Sequence, residues 1–350
     1  MRDLTVIVTA CGAPGGPGII ASLRRVRGRG IRVIGVDANS GAAGLRLVDE
    51  GHVVPAASSA GYVDAMGEIV RRTGADVILP LSGSELLALS EHPNPLAPAL
   101  AVVNRPEALR ESLDKLRCYR FLAGTTVPVP EHRAVRTYDE FVAAVHALGY
   151  PGVPVCFKPA VSNGQRGFRI LRPDADLAYL LLETKPDSTV TTLDMVAPIL
   201  AGGFRKELIV SEYLPGMEYS VDSLVDHGKT LVMVPRKRVD TRLGISSIGV
   251  VHRDDEIMRV AETINEAYRF DYNVNVQLKY GADGIPKLVE INPRVSGTIC
   301  LSVEAGPNLP YLAIQQALGE SFTIPDVEWG VAMTRYLGEV YFREDGQQPG

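Results

Sequence analysis

Three stretches of the sequence carry residue types at spacings that can do chemistry. In Cys156-Phe157-Lys158-Pro159-Ala160-Val161-Ser162-Asn163-Gly164-Gln165-Arg166-Gly167-Phe168, a lysine closes an apolar strand and a polar loop with two glycines follows. Phe157 desolvates Lys158 in part, so the ammonium needs an anionic partner. Backbone N–H groups between Ser162 and Gly167 can surround phosphate oxygens, with Ser162, Asn163, Gly164 and Gly167 as candidate contacts. The loop lacks Gly-Lys-Ser/Thr and runs into a strand, so it is not a Walker loop. A solvated hairpin with a snorkelling lysine fits the same residues.

The second stretch runs from Asn275 to Arg294. Asp283-Gly284 reads as a two-residue hairpin loop. That loop puts Gln277 opposite Glu290, and Asn292 shares the face of Glu290. One carboxylate and two amide oxygens form a hard-ligand set, suited to Mg²⁺ completed by phosphates and water. Arg294 then stands beside the same face, while a polar outer face of a surface hairpin would look alike. The third stretch is Gly16-x-Gly18-x-x-Ala21, with Asp37 closing the next strand. It fits the dinucleotide fingerprint, a contact with some other ligand, and a tight strand-to-helix turn. Pro14 and Pro17 remove N–H donors from it.

These residues need elements to hold them. Up to about residue 105, apolar strands (Leu4–Thr9, Arg32–Asp37, Val53–Val54, Asp76–Leu81, Leu100–Val103) alternate with helical spacings. That alternation predicts a parallel sheet covered on both faces. A helical region follows from Glu107 to Ala123, then an extended linker, Thr125–Pro130. Beyond it the pattern predicts an α+β half with antiparallel hairpins: helices at Tyr138–Leu148, Ala175–Leu182 and Asp255–Phe270, and strands at Val153–Pro159, Phe168–Leu171, Leu208–Tyr213, Tyr219–Val225, Thr230–Pro235, Asn273–Lys279 and Lys287–Ile291. Arg236, Lys237 and Arg238 are placed after a strand, where they can hold a phosphate or carboxylate. Asp240–Gly249 reads as a polar substrate loop, and Glu344–Gly350 as a frayed tail.

Composition narrows the classes. The 350 residues are 46% hydrophobic and 22% charged, with a net charge of −5, which argues against disorder and against a dedicated nucleic-acid binder. No apolar run is long enough for a membrane span. Four scattered cysteines suit a reduced, cytoplasmic protein without a Cys-type metal site.

Taken in order, these pieces resemble the ATP-grasp superfamily over roughly residues 4–320. The resemblance is closest to the synthetase units of the carbamoyl-phosphate synthase large subunit and to related stand-alone ligases. Asp114-Lys115-Leu116 looks like the helix bearing the family's first lysine, and Phe157-Lys158-Pro159 with its loop like the second. Glu212-Tyr213-Leu214 looks like the hinge whose backbone reads adenine, and Glu218 like the ribose carboxylate. Val289-Glu290-Ile291-Asn292-Pro293-Arg294 is the most specific match.

The resemblance implies an α/β plus α+β fold, with a Rossmann-like pre-ATP-grasp domain (1–105) followed by a two-lobed ATP-grasp domain. That domain's linker helices and small lobe cover 106–210, its large lobe 211–340, and a tail 341–350. It implies ATP with Mg²⁺ (Mn²⁺ as the alternative metal), held by Lys115, Lys158, Gln277, Glu290 and Asn292. Arg294, with Arg236 or Arg238, would stabilise the transferring phosphoryl group. The implied reaction is carboxylate–amine ligation through an acyl phosphate, on small molecules with amino acids as the default, in a homodimer. Two alternatives stay open: an NAD(P)-dependent oxidoreductase using the Gly16–Ala21 turn, and a nucleotide-binding protein without ligase activity, hinted at by Gln277 where many members carry an acid.

Overall fold

The computed structural model describes residues 1–161, 166–185, 187, 189–242 and 244–343. The expected phosphate contacts Ser162, Asn163 and Gly164, and the tail from Glu344, lie outside the described residues. The chain divides into two compact units. The first comprises Met1–Leu113, Glu218–Leu278 and everything from Glu290 on; the second comprises Asp114–Met217 and Lys279–Val289. Among the described residues no helix is long and apolar enough to cross a membrane.

In the first unit, β1 (Leu4–Val8), β2 (Ile31–Asp37), β3 (Glu50–Val53), β4 (Val77–Leu79) and β5 (Leu100–Ala101) form a parallel sheet in the order β3-β2-β1-β4-β5. Successive β1 side chains leave on opposite faces. Val6 and Val8 enter one core with Ile19 and Leu23, and Ile7 enters another with Met66, Ile69 and Leu89. Both faces are therefore dry, as a doubly wound sheet requires. The order reverses between β1 and β4, opening a crevice at the carboxyl ends of the strands.

The second unit holds β6 (His132–Val135), β7 (Val155–Pro159), β8 (Arg169–Leu171), β9 (Val190–Thr191) and β10 (Leu208–Glu212), in the order β6-β10-β7-β8-β9. Helix Tyr138–Ala147 covers this sheet, with the Phe141 and Phe157 rings edge to face at 5.2 Å. Thr137 and Glu140 form a capping box at its start. The expected helical region from Glu107 to Ala123 is made of two helices, Pro106–Leu113 and Lys115–Leu122. The break is Asp114, whose Oδ1 accepts from the N–H groups of Leu116 (2.9 Å) and Arg117 (3.2 Å). Asp176 likewise starts the next helix at Leu177 and not at Ala175. A further helix, Leu193–Ala201, was not expected, because Pro198 sits inside it.

The third sheet is β11 (Glu218–Asp226), β12 (Lys229–Arg242), β13 (Ile245–Val251), β14 (Tyr272–Tyr280), β15 (Pro286–Asn292) and β16 (Ala332–Thr334), ordered β15-β14-β11-β12-β13-β16. Its part in the first unit shares one core with the parallel sheet, through Leu224, Val234, Val251, Ile299 and Leu312.

Two expectations fail here. Arg236, Lys237 and Arg238 lie inside β12, not after a strand. Asp240–Gly249 is not an open loop: its described residues form the outer end of the β12–β13 ladder, in which Asp240 pairs with Ile248 and Thr241 with Ser246. β-Branched residues on both sides of Gly244 carry the ladder outward. The β14–β15 turn also differs. The Gly281 N–H donates to the Ile285 carbonyl (2.9 Å) and the Gly284 N–H to the Gly281 carbonyl (3.1 Å). The loop thus spans three residues, Ala282–Gly284, with Gly284 at φ +75°. The pairing of Gln277 with Glu290 that a two-residue loop implies is not carried by this turn.

Candidate active site

In the second unit, β7 brings Lys158 to its end. Lys158 Nζ lies 3.4 Å from the Tyr119 hydroxyl and 3.4 Å from the Val289 carbonyl, and 5.9 Å from the centre of the Tyr119 ring. These long contacts with neutral groups help to orient the ammonium. Lys115 is buried at the first position of its helix, and its N–H reaches the Ala160 carbonyl at 3.3 Å. Burial pushes the neighbouring Cys156 thiol up to about 12 although Lys158 and Lys279 oppose it, so it stays protonated. Gly167 is exposed at φ +78°, and a methyl group there would sit 2.7 Å from Pro159 Cδ.

The segment Glu212-Tyr213-Leu214 is anchored by its acid. Glu212 Oε1 accepts from the Glu131 N–H and from Lys287 Nζ (2.8 Å each), and Oε2 accepts from Lys287 at 2.9 Å. The Glu212 side chain therefore ties β10 to the hairpin. Among the described residues the N–H groups of Tyr213 and Leu214 have no hydrogen-bond partner. They are the donors an adenine edge would need.

In the first unit, a charged network fills the space between β11, β12 and β14. Arg236 is 1% exposed; its Nε donates to Asp222 Oδ2 at 2.9 Å, Nη2 forms an ion pair with the same oxygen at 2.7 Å, and Nη2 donates to Ser220 (3.2 Å) and Ser296 (3.0 Å). Asp222 accepts further from Ser302 (2.6 Å) and from Asn275 Nδ2 (2.8 Å). Arg238 donates through Nε to Ser246 (3.3 Å), through Nη1 to Glu218 and to Gln277 Oε1 (3.2 Å), and through Nη2 to the Gly244 carbonyl (2.7 Å). Both arginines, expected beside the phosphoryl group, are thus engaged by protein acceptors.

On β15, Glu290 and Asn292 stand two residues apart and share a face. Asn292 Oδ1 accepts from Arg294 Nη2 at 3.1 Å, and Arg294 Nη1 donates to the Val295 carbonyl at 2.8 Å. Burial pushes the Arg294 pKa down, against the charges of Glu290, Glu85 and Asp222. The half-buried Glu290 carboxylate makes no hydrogen bond or ion pair at contact distance among the described residues. A half-buried acid without a protein partner fits a hard divalent cation, while the candidate amide oxygens Gln277 Oε1 and Asn292 Oδ1 accept from Arg238 and Arg294.

The Gly-rich turn is closely packed. Asp37 Oδ2 accepts from the Gly12 N–H and Oδ1 from the Asn39 N–H, both at 2.8 Å, so its carboxylate is spent on its own loops. A methyl group on Gly15 would lie 2.6 Å from Gly297 Cα, and one on Gly16 1.9 Å from the Cys11 carbonyl oxygen. Arg335 binds the Pro14 and Gly297 carbonyls (3.3 and 3.1 Å) and closes the turn over.

Sequence patterns missed the acceptors that hold Arg236, which are Ser220, Asp222 and Ser296, and the donors Asn275 and Ser302 that orient Asp222. The one available sign was Ser220-x-Asp222 on an otherwise apolar strand. They also missed buried Glu85, at the carboxyl end of the parallel sheet, which accepts from Thr9 Oγ1 at 2.6 Å and from the Ser82 N–H at 3.1 Å. Burial raises its pKa against those hydrogen bonds.

Comparison with known proteins agrees with this architecture. Residues 204–337 match the family model described as ATP-grasp in the biosynthetic pathway with Ter operon, and residues 7–104 the PylC-like N-terminal domain. The carbamoyl phosphate synthase large chain of Thermomicrobium roseum is 26% identical over 227 residues, 61% of this chain and 19% of the relative. The chain spans only 19–38% of the length of the curated relatives it matches. Among solved structures, an ADP complex of N5-carboxyaminoimidazole ribonucleotide synthetase superposes with a TM-score of 0.70 at 15% identity, over 94% of this chain and 80% of that one. The L-amino acid ligase of Bacillus licheniformis superposes with a TM-score of 0.62 at 14% identity, over 91% and 75%. The ATP-grasp resemblance and the fold class inferred from sequence are borne out.

Proposed function

We propose that this ATP-grasp chain is an ATP- and Mg²⁺-dependent ligase that activates a small-molecule carboxylate as an acyl phosphate for attack by an amine. The observation that carries it is Glu290, a half-buried carboxylate without a protein partner at contact distance among the described residues, on the strand that also presents Asn292 and leads to Arg294.

A carboxylate is a poor acyl donor at neutral pH. Transfer of the terminal phosphoryl group of ATP to a carboxylate oxygen releases ADP and leaves phosphate as a good leaving group. The amine then attacks the acyl carbon, forming the C–N bond and expelling phosphate. Positioning and charge neutralisation supply most of the acceleration in such transfers.

Lys115 and Lys158 would hold nucleotide phosphates, the backbone of Tyr213 and Leu214 the adenine, and Glu218 the ribose. Glu290 and Asn292, with Gln277, would hold Mg²⁺, which when bound neutralises phosphate charge. Arg294 would donate to the phosphoryl oxygens as charge moves onto them. Arg236 and Arg238 would act through the groups they hold.

The test is ADP release in Mg²⁺ buffer over a panel of carboxylates and amines, amino acids first, with hydroxylamine added in parallel. The expected result is carboxylate-dependent ADP formation, with a hydroxamate of that carboxylate trapped by hydroxylamine. MgATP binding without ADP release over the whole panel would favour a nucleotide-binding protein without ligation.

A further inference from the structure

Arg238 does more than fill a buried site. It reaches three strands and a turn: Ser246 on β13, Glu218 on β11, Gln277 on β14 and the Gly244 carbonyl between β12 and β13. Its side chain is 4% exposed and that of Glu218 19%. Arg238 takes the Oε1 atoms of both Glu218 and Gln277, and among the described residues Glu218 Oε2 has no partner. A planar guanidinium imposes a direction on each acceptor that an ammonium cannot. The carboxylate is thereby fixed with one oxygen bound and the other offered.

We infer that Arg238 is a positioning residue for nucleotide recognition, clamping Glu218 so that its second oxygen is presented to a ribose hydroxyl and holding Gln277 in the same grip. The inference rests on the proposed nucleotide site and adds a residue that touches no part of the nucleotide. It also makes the β12–β13 turn the anchor of that recognition, because Arg238 Nη2 is fixed by the Gly244 carbonyl at 2.7 Å.

The test is calorimetric titration of the full chain in Mg²⁺ buffer with ADP, 2′-deoxyADP and 3′-deoxyADP. The variants are Arg238→Met, Arg238→Lys, Glu218→Gln and the double variant Arg238→Met/Glu218→Gln. Wild type is expected to bind ADP about ten-fold or more tightly than at least one deoxy analogue, the size of a hydrogen bond to a charged group. Arg238→Met should reduce that ratio to below about three-fold. It should add no further loss in the Glu218→Gln background, because a positioning role vanishes with the group it positions.

Retained discrimination in Arg238→Met, or additive losses in the double variant, would overturn the inference. So would wild-type ADP binding without any discrimination, which leaves the nucleotide site standing. Absence of wild-type MgADP binding would refute the nucleotide site itself, and Arg238's role with it. Should Arg238→Met fail to fold, Arg238→Lys is scored by the same ratio, since an ammonium cannot hold all these acceptors at once.

Discussion

Asp222→Asn tests the buried network in the first unit. The wild-type carboxylate accepts from Arg236 Nε and Ser302 on Oδ2, which also pairs with Arg236 Nη2, and from Asn275 on Oδ1. An amide can keep its oxygen on the Arg236 side. Its NH₂ group then faces Asn275 Nδ2, a donor already committed to Ser220 (2.8 Å) and the Val221 carbonyl (3.3 Å). Turning the Asn275 amide would relieve that clash only by setting its oxygen against the Val221 carbonyl. Arg236, 1% exposed, meanwhile loses its counter-charge.

Breaking a buried pair on one side costs about 3–5 kcal/mol. That is a large fraction of a domain's total stability. The chain's single tryptophan, Trp329, lies in the first unit, so its fluorescence in urea reports that unit. With a denaturant slope of about 3 kcal/mol/M, the midpoint should fall by about 1 M or more. The double variant Asp222→Asn/Arg236→Met should recover part of the loss, because the pair itself adds little net stability. A single-variant shift below about 0.2 M would mean that Arg236 does not depend on Asp222.

Three further outcomes can be checked in the same preparations. Lys158→Ala should weaken ATP binding by about ten-fold or more, measured by titration with circular dichroism as the fold control; unchanged affinity would remove Lys158 from the phosphate site. Arg29, 2% exposed, makes two hydrogen bonds with Glu320 (2.9 and 2.7 Å), which hold the Glu320 carboxyl below its usual range. That contribution is present above the ordinary carboxylate range and lost as pH falls through the depressed value, so Glu320→Gln should cost about 2 kcal/mol near neutrality and progressively less in acid; a pH-independent cost would contradict this. Gly15→Ala should lower the melting temperature by a few degrees, because its methyl group meets Gly297 at 2.6 Å; an unchanged melt would mean that the turn has room for a ligand.

What the sequence disclosed depended on range. Leu4–Val8 and Ile31–Asp37 are apolar runs ending at glycine or acid, and they are the strands expected. Glu290-x-Asn292-x-Arg294 was legible because three polar residues break an apolar strand at fixed period. Within the Glu107–Ala123 helical region the boundary is set by Asp114, a single capping side chain that overrides helical spacing.

The Asp283-Gly284 turn came out one residue longer than its dipeptide suggests, with Asp283 accepting from the Ile285 N–H (3.1 Å) and Lys287 Nζ (2.9 Å). Ser296 had no local sign at all, and Ser220-x-Asp222 gave a pattern without its partner. They meet Arg236 only after β11 and β12 pair and the chain returns some 60 residues later at Ser296. Such partners are set by strand order, which local pattern does not encode.

The most direct measurement is calorimetric titration of the full chain with ADP, with Mg²⁺ and again with the metal chelated, alongside NAD⁺ and NADP⁺. The proposed function requires ADP binding that weakens on chelation, and no dinucleotide binding. Dinucleotide binding without ADP binding would contradict it and return the active site to the Gly16–Ala21 turn.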